Sequence, residues 1–137
     1  MAGSKSDYWE NAILNGSLGG PQLALAANVF IALSTGVYSD AATGSALTEV
    51  AGAGYARVAV ANNNTNWPSA SAGQKSNGTV FTFAAAQANW GTVQAFYICD
   101  ALTAGNILYG ADLTTARTIA TGDTASFAVG SITITEN

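Results

Sequence analysis

The sequence predicts an all-β fold: an antiparallel β-sandwich, jelly-roll-like, with one short N-terminal helix. Three observations lead there. Seven to nine short apolar segments are separated by turn residues, at a spacing of about 8–12 residues that suits sandwiches and barrels. These segments are rich in Thr, Val, Phe and Ile, whose branched or flat side chains fit a pleated, half-buried surface. No helix-length apolar pattern lies between them, which disfavours a parallel α/β sheet. No fixed-period repeat is visible, which argues against a solenoid.

The helix comes first. Asp7 with Glu10 three residues on has capping-box spacing. Tyr8, Trp9, Ala12 and Ile13 form one broad apolar face. Asn15-Gly16 is the expected C-cap, because glycine accepts the left-handed conformation. Residues 17–20 and Pro21 then read as a loop. Residues 28–34 (NVFIALS) place Val29, Ile31 and Leu33 on one strand face at period two. Residues 34–46 are a polar connection, 47–50 a short strand, and Gly52-Ala53-Gly54 a turn. Residues 55–61 (YARVAVA) alternate again. Residues 62–78 are polar and turn-rich around Trp67-Pro68, and Asn77-Gly78 favours a turn. Further strands are expected at 79–83, 92–99, 106–113, 117–120, 126–129 and 131–135. Residues 1–20 thus form an N-terminal segment acting as a docking arm, and residues 21–137 a single sandwich domain.

Composition narrows the function. Four basic and eight acidic residues give a formal net charge of −4, and only 9% of residues are charged, against about 25% in an ordinary domain. Ala (28), Thr (15), Gly (15), Ser (11) and Asn (11) make up more than half of the 137 residues. With no His, a Ser-His-Asp triad, a Cys-His dyad and a His-ligated metal site are impossible within one chain. A single Cys can close no intrachain disulfide. Four cations make a nucleic-acid face improbable. No apolar run approaches the roughly 20 residues of a bilayer span, and the N-terminus lacks a signal peptide's apolar stretch. A chain that starts in a cytoplasm is expected, with no membrane, metal or cofactor.

Few side chains suggest chemistry. Gly52-Ala53-Gly54 precedes a strand instead of following one, so it is a turn and not a dinucleotide loop. Asp100, Asp112 and Asp123 lie near strand ends; a glycosidase pair would need two of them to meet in a cleft. Cys99 follows Phe96, Tyr97 and Ile98 and reads as a packed small hydrophobe. Tyr8, Trp9 and Ile13 are candidates for an anchor on a partner, or for a cap on the sandwich. Trp67, amid Asn62, Asn63, Asn64 and Asn66, is a candidate for glycan or protein recognition. Arg57 and Arg117 are candidates for an ion pair across a subunit boundary, with an intrachain pair as the alternative.

A surface this poor in charge suits contact with other copies or another protein more than free solution. A further resemblance rests on Thr48-Glu49-Val50 with Tyr55 and Arg57, Lys75-Ser76-Asn77-Gly78, Asn89-Trp90-Gly91-Thr92-Val93, and Gly122-Asp123 before Phe127. With these pieces the chain resembles, over nearly its whole length, small phage virion structural proteins described as tail-fibre or capsid decoration proteins. The resemblance brings no catalytic motif. It implies a non-enzymatic virion protein. Because the chain is short and lacks heptads, the first expectation is a capsid decoration (cement) protein, a homotrimer on the outer face of the major capsid protein. The alternative is a tail- or fibre-associated module binding a host glycan or another tail protein.

Overall fold

The computed structural model describes residues 2–136. Its elements are β1 (Ala2–Lys5), α1 (Asp7–Ser17), β2 (Asn28–Ser34), β3 (Val58–Ala61), β4 (Gln74–Ser76), β5 (Phe81–Thr82), β6 (Gly91–Cys99), β7 (Ile107–Ile119), β8 (Ser126–Phe127) and β9 (Thr133–Thr135). Seven strands form one sheet in the order β3-β2-β6-β7-β1-β9-β4, and β5 pairs with β8 in a second. The architecture is all-β and sandwich-like, with one short helix. Pairing is antiparallel except where β1 meets β9.

The strand at residues 28–34 forms as its alternation predicts. Val29, Ile31 and Leu33 enter the main core with Val60, Phe96 and Ile98. That core continues through Phe81, Phe83, Trp90 and Phe127. Phe127 lies 5.6 Å from Phe96 in an edge-to-face arrangement, a favoured aromatic geometry. The centre of the sheet is also buried on its opposite face. Ala32, Ala95, Tyr97, Cys99 and Ile107 form a second cluster there, covered by Tyr38, Ala42 and Leu47. A bulge between Val93 and Ala95 shifts the alternation of β6. Val93 therefore faces the main core with Phe96 instead of joining Ala95 and Tyr97. Gly110 lets the Tyr38 ring close over β7, since a Cβ there would sit 2.6 Å from Cε2 of that ring.

Several elements differ from the sequence reading. The helix is capped by Ser6, whose Oγ accepts from the Trp9 N–H at 3.2 Å, one residue before the expected Asp7. Asp7 and Glu10 occupy the first turn, where negative charge complements the helix dipole. Gly16 lies inside the helix, where its missing Cβ admits Leu23, which it would meet at 3.1 Å. Residues 106–113 and 117–120, read as two strands, belong largely to β7, one bulged 13-residue strand. Residues 47–50 make only an isolated bridge, Ser34 to Glu49. β1 and β4 were not anticipated. β1 lies between β7 and β9, so residues 2–5 of the expected docking arm are part of the sheet itself.

Candidate functional site

The N-terminal segment docks on the sheet through specific polar contacts. Ser6 is fully buried; its N–H donates to the Leu108 carbonyl at 2.9 Å and its Oγ donates to the Ile107 carbonyl. Trp9 Nε1 donates to the Tyr109 hydroxyl at 2.9 Å. Burial pushes the Tyr109 phenol up, and the Trp9 bond partly opposes this. Trp9 therefore caps the chain's own sheet. Ile13 is half-buried against the main core. Tyr8 stays 45% exposed and stacks against Trp9.

Tyr8, Trp9 and Tyr109 border an apolar cleft of about 370 Å³ that also includes Leu25, Trp67, Leu108 and Ile134. The structure thus brings Tyr8, Trp9 and Trp67 to one place, although they come from two separate stretches of sequence. Trp67 is not the open platform its asparagine-rich surroundings suggest. It is 7% exposed and packs edge-on against Phe81 at 5.2 Å. A sugar has no free indole face to stack on. Lys75, Asp100 and Glu136 line the same cleft.

A second groove of about 860 Å³ runs between the latter half of β7 and residues 123–131, with Leu33, Val93 and Phe127 among its lining. Arg117 is the register partner of Val93 and so shares its face. It is exposed and lines this groove. The two ion pairs among the described residues are Lys5–Glu136 and Arg57–Glu49, so Arg117 remains available to a partner.

Arg57 takes the intrachain alternative. Its Nε and Nη2 donate to Glu49 Oε2 and Oε1 at 2.8 and 2.9 Å. Nη1 donates to the carbonyls of Ala101 and Ala104, and Nη2 also to that of Gly44. The Tyr55 hydroxyl donates to the same Glu49 carboxylate at 2.6 Å and accepts from the Leu33 N–H. Burial alone would lower the guanidinium's pKa, but the Glu49 bond and the neighbouring groups together outweigh it and the pKa rises. Burial and the Glu49 bond both push the Tyr55 phenol upward. This cluster binds three loops together and turns the Arg57 guanidinium inward, away from any outside partner.

The three aspartates hold backbone in place. Asp100 accepts from the Asn106 N–H and side chain, Asp112 from the Tyr38 N–H, and Asp123 from the Ala120 N–H. Asp100 lines the first cleft and Asp123 the second groove, so these two do not converge. Cys99 is fully buried. Burial pushes its thiol from 9.0 up to about 11, against the lowering effect of Arg57. Two pKa units mean about 100-fold less thiolate at pH 8. Iodoacetamide is therefore expected to label native Cys99 at least about 100-fold more slowly than the urea-unfolded chain, as mass spectrometry would measure. Comparable rates would show that the second cluster opens readily.

The sequence reading missed Asn77 as a structural residue. Asn77-Gly78 read as a turn, yet the Asn77 side chain is 2% exposed and bonds to three separate residues. Little in the local sequence marks it, because two of the three partners, Ala128 and Ile132, lie more than 50 positions away.

Among the described residues, no helix is long and apolar enough to cross a membrane. A family model described as podophage GP4 fiber I protein gp80 matches residues 4–135. No curated protein matches the chain.

Proposed function

The chain belongs to the podophage GP4 fiber I protein gp80 family, and from that premise we propose that it is a non-enzymatic structural module of a phage fibre. It is a bacteriophage virion structural protein. In the proposed role it binds copies of itself and another fibre or tail protein, with no part for nucleic acid, membrane or cofactor. The observation carrying this reading is the family match, which covers nearly the whole chain. Two features support it. Only 9% of residues are charged, a composition suited to lying against other chains. The cleft beside Tyr8 and the groove beside Arg117 offer apolar lining for protein partners, whereas the packed Trp67 ring weighs against a stacked glycan.

The second reading keeps the chain on the head, as a cement protein on the major capsid protein. A short, two-sheet fold without heptads or repeats favours it. Virions from which the gene has been deleted separate the two. The fibre reading expects loss of fibre density in cryo-electron micrographs and of adsorption, with heads as heat-resistant as wild type. Intact fibres on heads that release DNA at lower temperature would replace it with the cement reading. Wild-type virions containing none of this chain would end both.

A further inference from the structure

We infer that the N-terminal arm, residues 2–17, is an exchangeable element: in the assembled protein it docks into the β7–β9 slot of a second copy of this chain. The inference does not depend on where in the virion the protein sits.

The slot and its occupant are closely matched. β1 pairs antiparallel with β7 and parallel with β9. Gly3 runs close against β9, where an added Cβ would lie 2.5 Å from Ile134 Cδ1 and push the end of that side chain aside. Ser6, Trp9 and the Lys5–Glu136 ion pair fix the arm further. Every one of these contacts joins the arm to residues beyond 100 in the sequence, so an arm from a neighbouring copy reproduces them all. Exchange then changes only the connection, which makes it a low-cost route to oligomers.

That connection carries the evidence. Residues 18–27 link α1 to β2 and contain Gly19, Gly20 and Pro21. Among the described residues, 21–25 make no hydrogen bond to the rest of the chain. Ten extended residues span up to roughly 33 Å. The linker also carries the two most exposed large apolar side chains described, Leu18 at 77% and Leu25 at 69%, with Leu14 at 58% on the helix before it. In a self-docked protomer these leucines face water. The same linker borders the 370 Å³ apolar cleft, which lies between arm, linker and sheet and is left unfilled when the arm folds back. Crossing linkers from neighbouring copies would bury the leucines and occupy that space, adding contacts that only the exchanged form possesses.

A disulfide reports whose arm fills whose slot. Lys5→Cys with Glu136→Cys places thiols at the ion-pair position, one on the arm and one after β9. Oxidation of the folded variant is expected to join chains to one another on a non-reducing gel. A Ser76→Cys/Thr133→Cys variant, whose parent hydroxyls lie 3.1 Å apart across β4 and β9, should close only within single chains. Should Lys5→Cys/Glu136→Cys also give only single chains, the exchange is refuted. Wild-type protein supplies a test free of substitutions. Isotopically heavy and light preparations mixed while folded should keep separate oligomers by native mass spectrometry, then form mixed oligomers after joint unfolding and refolding. A monomer at micromolar concentration, or mixing within minutes without unfolding, overturns the proposal.

Discussion

Arg57→Met is expected to remove about 3–5 kcal/mol of stability, the usual consequence of breaking a buried ion pair from one side. The melting temperature should fall by about 10 °C or more, at roughly 3 °C per kcal/mol for a domain of this size. The guanidinium supplies two of the three side-chain bonds to the Glu49 carboxylate, and three more to the carbonyls of Gly44, Ala101 and Ala104. Methionine fills similar space and donates to none of them. Glu49 would keep only Tyr55 as a partner in the cluster, and the backbone acceptors would be left dry. Glu49→Leu combined with Arg57→Met should lose less than the two single losses added together, by more than about 1 kcal/mol, because the second change removes the stranded charge. Urea midpoints of the four proteins measure this. An Arg57→Met variant within 1 kcal/mol of wild type would mean that the loops are held by something else.

This cluster shows where the sequence was legible and where it was not. Val29, Ile31 and Leu33 announced their strand because alternation is a local property, and Ser6 displaced Asp7 as helix cap only by one position among residues that all cap well. β1 gave no such signal. Its sequence, AGSK, has no apolar alternation; it is a strand because β7 and β9 each present it with an edge. β7 read as two strands because Asp112 and Arg117 flank a polar stretch that resembles a turn, whereas a bulge carries the strand through it. Arg57 left its two alternatives open in the sequence, since its carbonyl partners lie on distant loops. Trp67 misled in the opposite direction: its polar neighbours describe the loop, while the ring turns inward onto Phe81. Tyr8, Trp9 and Ile13 left two alternatives open in the sequence, an anchor on a partner and a cap on the sandwich. Trp9 and Ile13 hold the arm to a sheet, and Tyr8 alone stays substantially open.

Asn77→Asp is expected to destabilise the protein by roughly 3 kcal/mol at pH 7, as an unpaired buried charge does, although the side chain keeps its shape. The Asn77 amide nitrogen donates to the Thr79 and Ala128 carbonyls at 2.8 and 2.9 Å, and its oxygen accepts from the Ile132 N–H at 2.9 Å. Its backbone N–H and carbonyl bond Ile132 and Gly130. One residue thereby ties the end of β4 to the segment leading into β9. A carboxylate there would point an anionic oxygen at two carbonyl oxygens, with burial opposing ionisation as well. The variant's carboxyl pKa in the folded state must rise above the usual aspartate value of about 3.9. Between the unfolded and folded values the native state holds the extra proton, so stability falls as pH rises through that window, by up to about 1.4 kcal/mol per unit. Lowering the pH from 7 toward 4 should therefore bring Asn77→Asp back toward wild type, since the protonated acid can again donate to one of the carbonyls. Asn77→Leu has no such proton, and its deficit relative to wild type should stay constant over the same range. Urea midpoints at pH 7, 5.5 and 4 distinguish the two patterns. If the gap between Asn77→Asp and wild type did not narrow with acid, the side-chain nitrogen would not be the group that holds those two carbonyls.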